Sequence, residues 1–260
     1  MRKLLTEAVV IFDRDLYALR RQPTLIAANL AGPLGLVLVF GYVFGGALDS
    51  AVPGASYREQ IIPAAFVLVA GTGLVLAAGG AALDVANGVH QRLRTLPIRS
   101  VAVPLGSSLS QLLISVVAVV LMAGVGLLVG WRVHEGTGST LAGFALLLIF
   151  GYALTWAGVF LGLAIRDQQV VQQLAPLIIA GVMVSNAFVP TATMPGWLGA
   201  LAEWSPFSAA ISALRLLFGN APALDGPWPI AHPTAATLLW SVGLLLIFVP
   251  LAARLHGSRD

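Results

Sequence analysis

The residues that could carry out catalysis are few in this chain, and the sequence keeps them apart. Gly106-Ser107-Ser108 forms a Gly-x-Ser motif of the kind that can present a nucleophilic serine, and His232 could serve as its base. Ser108 begins one long apolar segment and His232 precedes another, and such segments separate their ends by about 30 Å. A nucleophile and its base must lie within hydrogen-bonding distance. The sequence therefore argues against a serine hydrolase.

Other motifs for catalysis or ligand binding are absent from the sequence. There is no cysteine, which excludes disulfides, thiol catalysis and cysteine-ligated metals. Lys3 is the only lysine, so the chain has no Gly-x-x-x-x-Gly-Lys-[Ser/Thr] phosphate loop and cannot bind ATP in that way. His90, His134, His232 and His256 lie in different loops and form no His-Glu-x-x-His site. We predict no catalytic residue, no metal site and no cofactor in this chain.

Six long uncharged segments occupy most of the chain and determine its class. A helix needs about 20 apolar residues to cross the hydrocarbon core of a bilayer, and within lipid each segment must satisfy its own backbone hydrogen bonds. Hydrophobic residues make up 58% of the chain and charged residues 10%, whereas soluble domains contain about 25% charged residues. We predict an all-α polytopic membrane protein with six transmembrane helices, at Pro23–Gly46, Ile62–Leu83, Leu105–Trp131, Leu141–Ile165, Gln173–Pro190 and Thr234–Ala253.

Basic residues predict the orientation of these spans, because Arg and Lys favour the cytoplasmic side of short loops. Only Arg58, Arg132 and Arg215 fall on one side, and we expect Arg215 near the headgroups, its side chain reaching out of the lipid. The other 11 of the 14 fall on the opposite side: Arg2, Lys3, Arg14, Arg20, Arg21, Arg92, Arg94, Arg99, Arg166, Arg254 and Arg259. Both termini are therefore predicted to be cytoplasmic. The net charge of +3 is read as a topology signal, and no nucleic-acid partner is predicted.

Residues 1–22 are predicted to form an amphipathic interfacial helix that precedes the six-span domain, residues 23–260. Its apolar stripe recurs at spacings of 4, 3, 4 and 3 and consists of Leu5, Val9, Phe12, Leu16 and Leu19. With basic residues on its other faces, such a helix lies along the membrane surface. Packing against another cytoplasmic protein is the alternative.

The loop between the second and third spans, residues 84–104, contains a second amphipathic pattern. Val85, Val89, Leu93 and Leu96 share one helical face, and Pro97 ends the helix. A short amphipathic helix at the cytoplasmic mouth of two spans could dock in a groove of another protein. It could equally rest its apolar side on the bilayer, and the pattern alone does not decide between the two.

Residues 190–219 predict an external hairpin rather than another span. The first arm is rich in Pro and Trp and contains Pro190, Pro195, Trp197, Glu203, Trp204 and Pro206, and the second arm is Phe207–Phe218. Apolar stretches of about 10–14 residues are too short to cross and are often re-entrant or interfacial. Since Trp concentrates at the headgroup level, we predict a re-entrant hairpin that dips into the outer leaflet.

A few uncharged polar residues lie within the predicted spans. Asn29, Ser185 and Asn186 could line a translocation pathway, and the alternative is that they form interhelical hydrogen bonds. The pairs Gly41/Gly45, Gly126/Gly130 and Gly158/Gly162 each form Gly-x-x-x-Gly, which lets helix backbones approach closely. Because the chain has 28 glycines, these pairs indicate close helix packing without identifying the partner.

Two motifs, taken with the order of the elements, resemble a known family over essentially the whole chain. The first is Asp84-Val-Ala-Asn-Gly88-Val-His-Gln-Arg92-Leu93-Arg-Thr-Leu96-Pro97-Ile98, and the second is Phe188-Val189-Pro190…Met194-Pro195-Gly196-Trp197-Leu198…Glu203-Trp204-Ser205-Pro206-Phe207. Both are similar to segments of the type-2 family of ABC transporter permeases, in particular the daunorubicin-resistance-type bacterial exporters. The chain departs from the family at Val85, where Arg is usual, and at Ser205, where Asn is frequent.

The resemblance implies a transport subunit that carries out no catalysis itself. Two separate ATPase subunits would bind ATP and Mg, and a second permease, identical or paralogous, would complete the membrane unit in the plasma membrane of a bacterium. By the same resemblance, ATPase motion would be transmitted by Asp84, Gly88, Val89, Arg92, Leu93, Leu96 and Pro97. The expected substrates are hydrophobic drugs, lipids or glycolipids moved outward. A six-span substrate-capture subunit of a vitamin importer is the alternative.

Overall fold

The computed structural model describes residues 24–45, 57–87, 102–189, 191–220 and 226–257, and these residues form helices and turns without any β-strand. The predicted interfacial helix 1–22 and positions 88–101 of the predicted coupling loop lie outside the described residues. The helices are α1 (Thr24–Leu38), which continues as a π-helical turn (Val39–Val43), α2 (Tyr57–Ala86), α3 (Ala102–Val129), α4 (Thr137–Ile165), α5 (Gln168–Gln172), α6 (Leu174–Met183), α7 (Gly196–Glu203), α8 (Pro206–Phe218), α9 (Trp228–Ala231) and α10 (Pro233–Gly257), with a 3-10 turn at Thr191–Thr193.

Four of these helices are long and apolar enough to cross a membrane. They are α2, the Ser108–Val129 part of α3, α4, and the Pro233–Leu255 part of α10, and they match the second, third, fourth and sixth predicted spans. The first predicted span is represented by α1 and its π-helical turn, and its apolar portion Leu30–Val43 is shorter. The described residues therefore form an all-helical bundle with four membrane-spanning candidates.

The predicted fifth span, Gln173–Pro190, is not a single helix. It begins at the break between α5 and α6 and contains a helix of only 10 residues, which ends at Met183. Pro176 explains the break, because its ring has no N–H to donate to the Gln172 carbonyl and clashes with that carbonyl. At the other end the Ser185 hydroxyl bonds the Val182 carbonyl and accepts from the Ala187 N–H, which replaces the helical pattern with a turn.

Helix α2 is the centre of the bundle. In its most apolar stretch 89% of the residues are buried, against 28% in α3 and 22% in α10. Helix α2 runs parallel to α4, and the two backbones touch at Gly158 and Gly162, where an added Cβ would overlap the carbonyls of Leu74 and Ala78. Gly158/Gly162 is thus the Gly-x-x-x-Gly pair that brings two helices together. Gly41/Gly45 meets no such backbone, and Gly130 lies in a turn with a φ of +104°.

Helix α8 is short but buried along most of its length. It lies among α2, α4, α6 and α10, and a Phe near each end rests on a glycine. A Cβ at Gly143 would lie 2.6 Å from Cε1 of Phe218, and one at Gly181 would lie 2.9 Å from Cε2 of Phe207. Phe218 also joins an aromatic cluster with Phe66, Trp131 and Phe144 at the end of the bundle where α2 begins, which we name the Tyr57 end. The opposite end, where α2 finishes, is named the Ala86 end.

Candidate functional site

The predicted coupling residues begin at the Ala86 end. Asp84 is half-buried in the last turn of α2, and Val85 packs against a cluster formed by α2, α4 and α10. Gly88, Val89, Arg92, Leu93, Leu96 and Pro97 lie outside the described residues, and their role stays a prediction.

Helix α5 lies beside this end of α2. Its Val171 packs on Ala78 and Ala82 of α2, and Asp167 caps it by accepting from the N–H of Gln169 at 2.8 Å. The loop between α4 and α5 therefore shares the Ala86 end with the start of the predicted coupling loop.

The predicted external hairpin forms a locally folded unit, although Pro190 lies outside the described residues. Pro195 precedes α7, and its carbonyl accepts from the Gly199 N–H at 2.8 Å. The carboxylate of Glu203 accepts from the Thr191 hydroxyl at 3.2 Å, which closes the hairpin on itself. Trp197 and Trp204 are 69% and 59% exposed, and Pro206 is the first residue of α8, after the capping Ser205. The unit thus presents two indole rings outward.

Two of the three predicted pathway residues meet α8. The Asn186 side-chain Nδ2 donates to the Ser212 hydroxyl at 2.6 Å, and its backbone N–H donates to the Ser208 hydroxyl at 3.1 Å. Ser185 is buried in the same turn, and its hydroxyl donates to the carbonyl of Val182 at the end of α6. The side chain of Asn29 lies outside the described part of the chain, and its role stays a prediction. Ser185 and Asn186 therefore belong to one buried polar contact between α8 and the turn after α6.

Arg215 dominates that contact, and the expectation that its side chain reaches out of the lipid is wrong. Its side chain is 9% exposed and does not extend toward the surface. The guanidinium donates to the carbonyl of Gln60 from Nε at 3.1 Å and Nη2 at 3.0 Å, to that of Asn186 from Nη1 at 2.9 Å, and to that of Ala187 from Nη2 at 2.7 Å. The guanidinium therefore lies between the first turn of α2 and the turn after α6, and its level relative to the headgroups stays a prediction.

The partners of Arg215 explain how a cation is accommodated there. Within the described part of the chain, every hydrogen-bond acceptor of the guanidinium is a main-chain carbonyl. The planar fork of Arg offers five donors and remains protonated in proteins, so several carbonyl dipoles can bind it at once. The sequence did contain a signal: Ser208, Ser212 and Arg215 recur at spacings of 4 and 3, which puts one polar stripe on an otherwise apolar helix.

The C-terminus of α8 is anchored to the loop between α3 and α4. The Asn220 side chain accepts from Trp131 Nε1 and donates to the Arg132 carbonyl, both at 2.8 Å. The His134 N–H donates to the Phe218 carbonyl at 2.9 Å, and the Ser139 hydroxyl donates to that of Leu217 at 2.8 Å. These bonds satisfy carbonyls that a helix end otherwise leaves unpaired. The anchored end of α8 is therefore held at the Tyr57 end.

One atom of the polar contact is unsatisfied. Asn186 is 5% exposed, and its Oδ1 has no hydrogen-bond donor among the described residues. Since exchanging the amide N and O would only move the vacancy to the other atom, one polar atom of this amide is unpaired in either assignment. The closed contact therefore leaves one buried polar atom of Asn186 without a hydrogen bond.

Comparisons with known proteins identify the family. The family model of the ABC-2 type transporter matches residues 6–218. The chain is 30% identical over 249 residues to the daunorubicin resistance ABC transporter permease protein of Streptomyces coeruleorubidus, and the match covers 95% of this chain and 84% of that protein. It is 25% identical over 221 residues to the probable doxorubicin resistance ABC transporter permease protein of two strains of Mycobacterium tuberculosis, covering 85% of this chain and 77% of theirs. The chain therefore belongs to the ABC-2 type transporter family.

Proposed function

We propose that this chain is the transmembrane permease subunit of an ATP-driven exporter that moves hydrophobic drugs, lipids or glycolipids outward across a bacterial plasma membrane. The family match carries this proposal, because it extends over residues 6–218 and a relative named for daunorubicin resistance aligns with 95% of the chain. The apolar helices favour a hydrophobic cargo over a hydrophilic one. ATP and Mg would be bound by two partner ATPase subunits, and a second permease would complete the membrane unit.

Six crossings remain the topology that we propose, with both termini cytoplasmic and the Tyr57 end outside. Contacts along α2 support a fifth crossing made of α5, α6 and the turn that follows them. Gln172 lies 3.7 Å from a Cβ built at Gly79, toward the Ala86 end. The Phe188 carbonyl accepts from the Tyr57 hydroxyl at 3.4 Å. Residues 172–188 therefore run most of the length of α2 although no single helix does so.

The external hairpin is proposed to be re-entrant. Its second arm, α8, has 13 residues, too few to cross the bilayer. The ring of Phe207 lies against Gly71, near the midpoint of α2, and Asn220, just beyond the other end of α8, bonds Trp131 at the Tyr57 end. Helix α8 therefore extends from the midpoint of α2 back to the Tyr57 end. This position supports a hairpin whose first arm enters the outer half of the protein and whose second arm, α8, leads back out. The exposed Trp197 and Trp204 suit the outer headgroup region.

The ATPase partners are proposed to act on the loop 84–104. The exposed end of α2, the neighbouring α5 and the predicted helix that contains Leu93 would form one docking surface. An apolar face at that position binds a groove of a partner through buried side chains, so a charge on the face should disrupt docking.

Substitution of Leu93 by Asp tests this proposal in cells that express the chain with its ATPase. We expect Leu93→Asp to insert in the membrane normally but to lose export and ATPase co-purification. Gln91→Asp is the control, because it adds the same charge on the polar face of the same predicted helix. Normal ATPase docking and export by Leu93→Asp would show that the coupling surface is wrongly assigned.

Reconstitution of the purified chain alone tests whether transport requires the separate ATPase. Without an ATPase the chain should produce no net accumulation of any compound in vesicles, because it has no ATP site of its own in this proposal. Addition of the ATPase and ATP should restore transport. Active accumulation by the lone chain would contradict the proposed function.

A further inference from the structure

The polar contact between α8 and the turn after α6 forms a distinct line through the Tyr57 half of the bundle. We name it the α8 seam and define it by Ser185, Asn186 and Ala187 on one side and by Ser208, Ser212 and Arg215 on the other. The geometry points to this seam as the place where the protein opens to water at the Tyr57 end, so that it forms the outlet for the polar part of an amphipathic cargo. The inference rests on the proposed export function and assigns residues to its last step.

The two sides of α8 differ in how they are held. The side that carries Ser208, Ser212 and Arg215 is joined to its neighbours by hydrogen bonds. The opposite side carries apolar residues such as Ala210 and Leu214, which belong to the main hydrophobic core. Arg215 also binds the Gln60 carbonyl of α2, and the C-terminal end of α8 is bonded to the segment that includes His134 and Ser139. The seam is the polar boundary that separates α8 from the turn after α6.

Water can replace the bonds across a polar boundary but cannot replace packing across an apolar one. Each hydrogen bond of the seam would be exchanged for one to water, which offsets much of its loss, although the bonds from the charged Arg215 contribute more than the neutral ones. Separation of the apolar side would expose core side chains and the two Phe–Gly contacts, which is unfavourable in proportion to the apolar area. An opening of the outer half should consequently follow the seam.

The unsatisfied Oδ1 of Asn186 favours the same conclusion. A buried acceptor without a donor is unfavourable, and a polar group of this kind is where water enters a protein interior. Opening of the seam would bring water or a cargo hydroxyl to this acceptor and so remove the cost of leaving it unpaired.

The charge of the seam indicates which groups it can pass. Arg215 is its only charged residue, and in the closed state it binds carbonyl oxygens. When the seam opens, the guanidinium can bind carbonyl, hydroxyl or anionic groups of a cargo in the same way, whereas it repels an ammonium group. The outlet should favour neutral or anionic polar groups.

Cysteine accessibility tests the opening directly, because the natural chain contains no cysteine. We compare Ser212→Cys, in the seam, with Ala210→Cys, which lies on the opposite side of α8 at a similar depth. Both residues are buried, Ser212 at 8% and Ala210 at 2% exposure. The full chain is expressed with its ATPase in intact cells, and membrane-impermeant methanethiosulfonates are added outside. Gly138→Cys, exposed in the first turn of α4, and Gln168→Cys, exposed in α5, report the orientation independently.

We expect Ser212→Cys to react from the Tyr57 side at least ten times faster than Ala210→Cys, and more slowly than Gly138→Cys. We also compare the modification rate of an anionic sulfonatoethyl reagent with that of a cationic trimethylammonioethyl reagent. The anionic-to-cationic rate ratio should be at least threefold higher at Ser212→Cys than at Gly138→Cys. If Ser212→Cys does not accumulate in the membrane, Ser208→Cys replaces it, since it lies on the same side of α8.

Equal rates at the seam and control cysteines, while Gly138→Cys is fully modified, would overturn the proposal. A reagent ratio equal to that at Gly138→Cys would overturn the charge assignment. Failure of the proposed function is recognised by separate measurements. A wrong ATPase partner assignment would appear as missing co-purification, and a wrong orientation would appear as labelling of Gly138→Cys only from the cytoplasmic side. In the reversed orientation the reagents are applied to inside-out vesicles, and the ratio of seam to control rates is read there.

Discussion

Arg215 of α8 donates two hydrogen bonds to the main-chain carbonyl of Gln60 in the first turn of α2, at 3.1 Å from Nε and 3.0 Å from Nη2. The two residues are 155 positions apart in the chain. Because the same guanidinium binds the carbonyls of Asn186 and Ala187, one side chain joins α2, α8 and the turn after α6. Arg215 therefore helps to hold the Tyr57 end together.

Replacement of Arg215 by Met should destabilise the protein by about 3 kcal/mol, because a hydrogen bond to a charged group contributes about 1.5–3 kcal/mol and the carbonyls left behind are buried. The measurement is thermal unfolding of the purified chain in detergent, followed by circular dichroism. Arg132→Met is the control, since Arg132 lies in the loop between α3 and α4 and its side-chain acceptors among the described residues are the nearby carbonyls of Leu127 and Trp131. Equal losses in the two variants would show that the carbonyl site of Arg215 has no special role.

Replacement of Gly162 by Ala should lower the unfolding temperature, because the added methyl group would overlap the Ala78 carbonyl of α2. Overpacking of this kind costs about 1–3 kcal/mol. Gly124→Ala is the matched control, since a Cβ at Gly124 meets nothing within 4 Å and Ala favours a helix by about 1 kcal/mol over Gly. A Gly162→Ala variant as stable as Gly124→Ala would contradict the close contact of α2 and α4.

Replacement of Arg166 by Gly should stabilise the protein. Arg166 ends α4 in the left-handed region, with φ 62° and ψ −4°, a conformation that costs about 1–2 kcal/mol for a residue with a Cβ. Arg166→Ala removes the same charge but keeps the Cβ, so the Gly variant should be more stable than the Ala variant by about 1 kcal/mol. Chemical or thermal unfolding of the two variants gives the comparison, and a more stable Ala variant would contradict the assigned backbone conformation.

Removal of the Asn220 side chain should loosen the anchor of α8. Asn220→Ala breaks the bonds to Trp131 Nε1 and to the Arg132 carbonyl, which should cost about 1–3 kcal/mol because buried partners lose their bonds. The double variant with Trp131→Phe measures the direct coupling. If the two residues interact as described, their coupling energy should fall in the range of about 0.5–3 kcal/mol seen for residues in contact, and strictly additive effects would contradict the bond.

Helix length and polarity could be read from the sequence because they depend on neighbouring residues. The spans represented by α2, α3, α4 and α10 are long, uncharged and bounded by polar loops, so composition alone predicts them. Pro195, Trp197, Glu203, Trp204 and Pro206 likewise predicted a non-spanning segment, which the structure contains as α7 and the start of α8. The break at Gln173 could also have been predicted from Pro176, which lies three residues further on.

The partners of Arg215 were decided only by the tertiary structure. The Gln60 carbonyl is an ordinary backbone group, and no residue type marks it as the acceptor for a side chain 155 positions away. Similarly, three Gly-x-x-x-Gly pairs have the same pattern, and only the arrangement of the helices makes Gly158/Gly162 the pair that touches another backbone. The sequence by itself determined which segments are apolar enough to be helices in a membrane, since that property is a sum over local residues. Which faces meet, and where a buried charge finds its acceptors, depended on how those helices pack, since such contacts join residues distant in the chain.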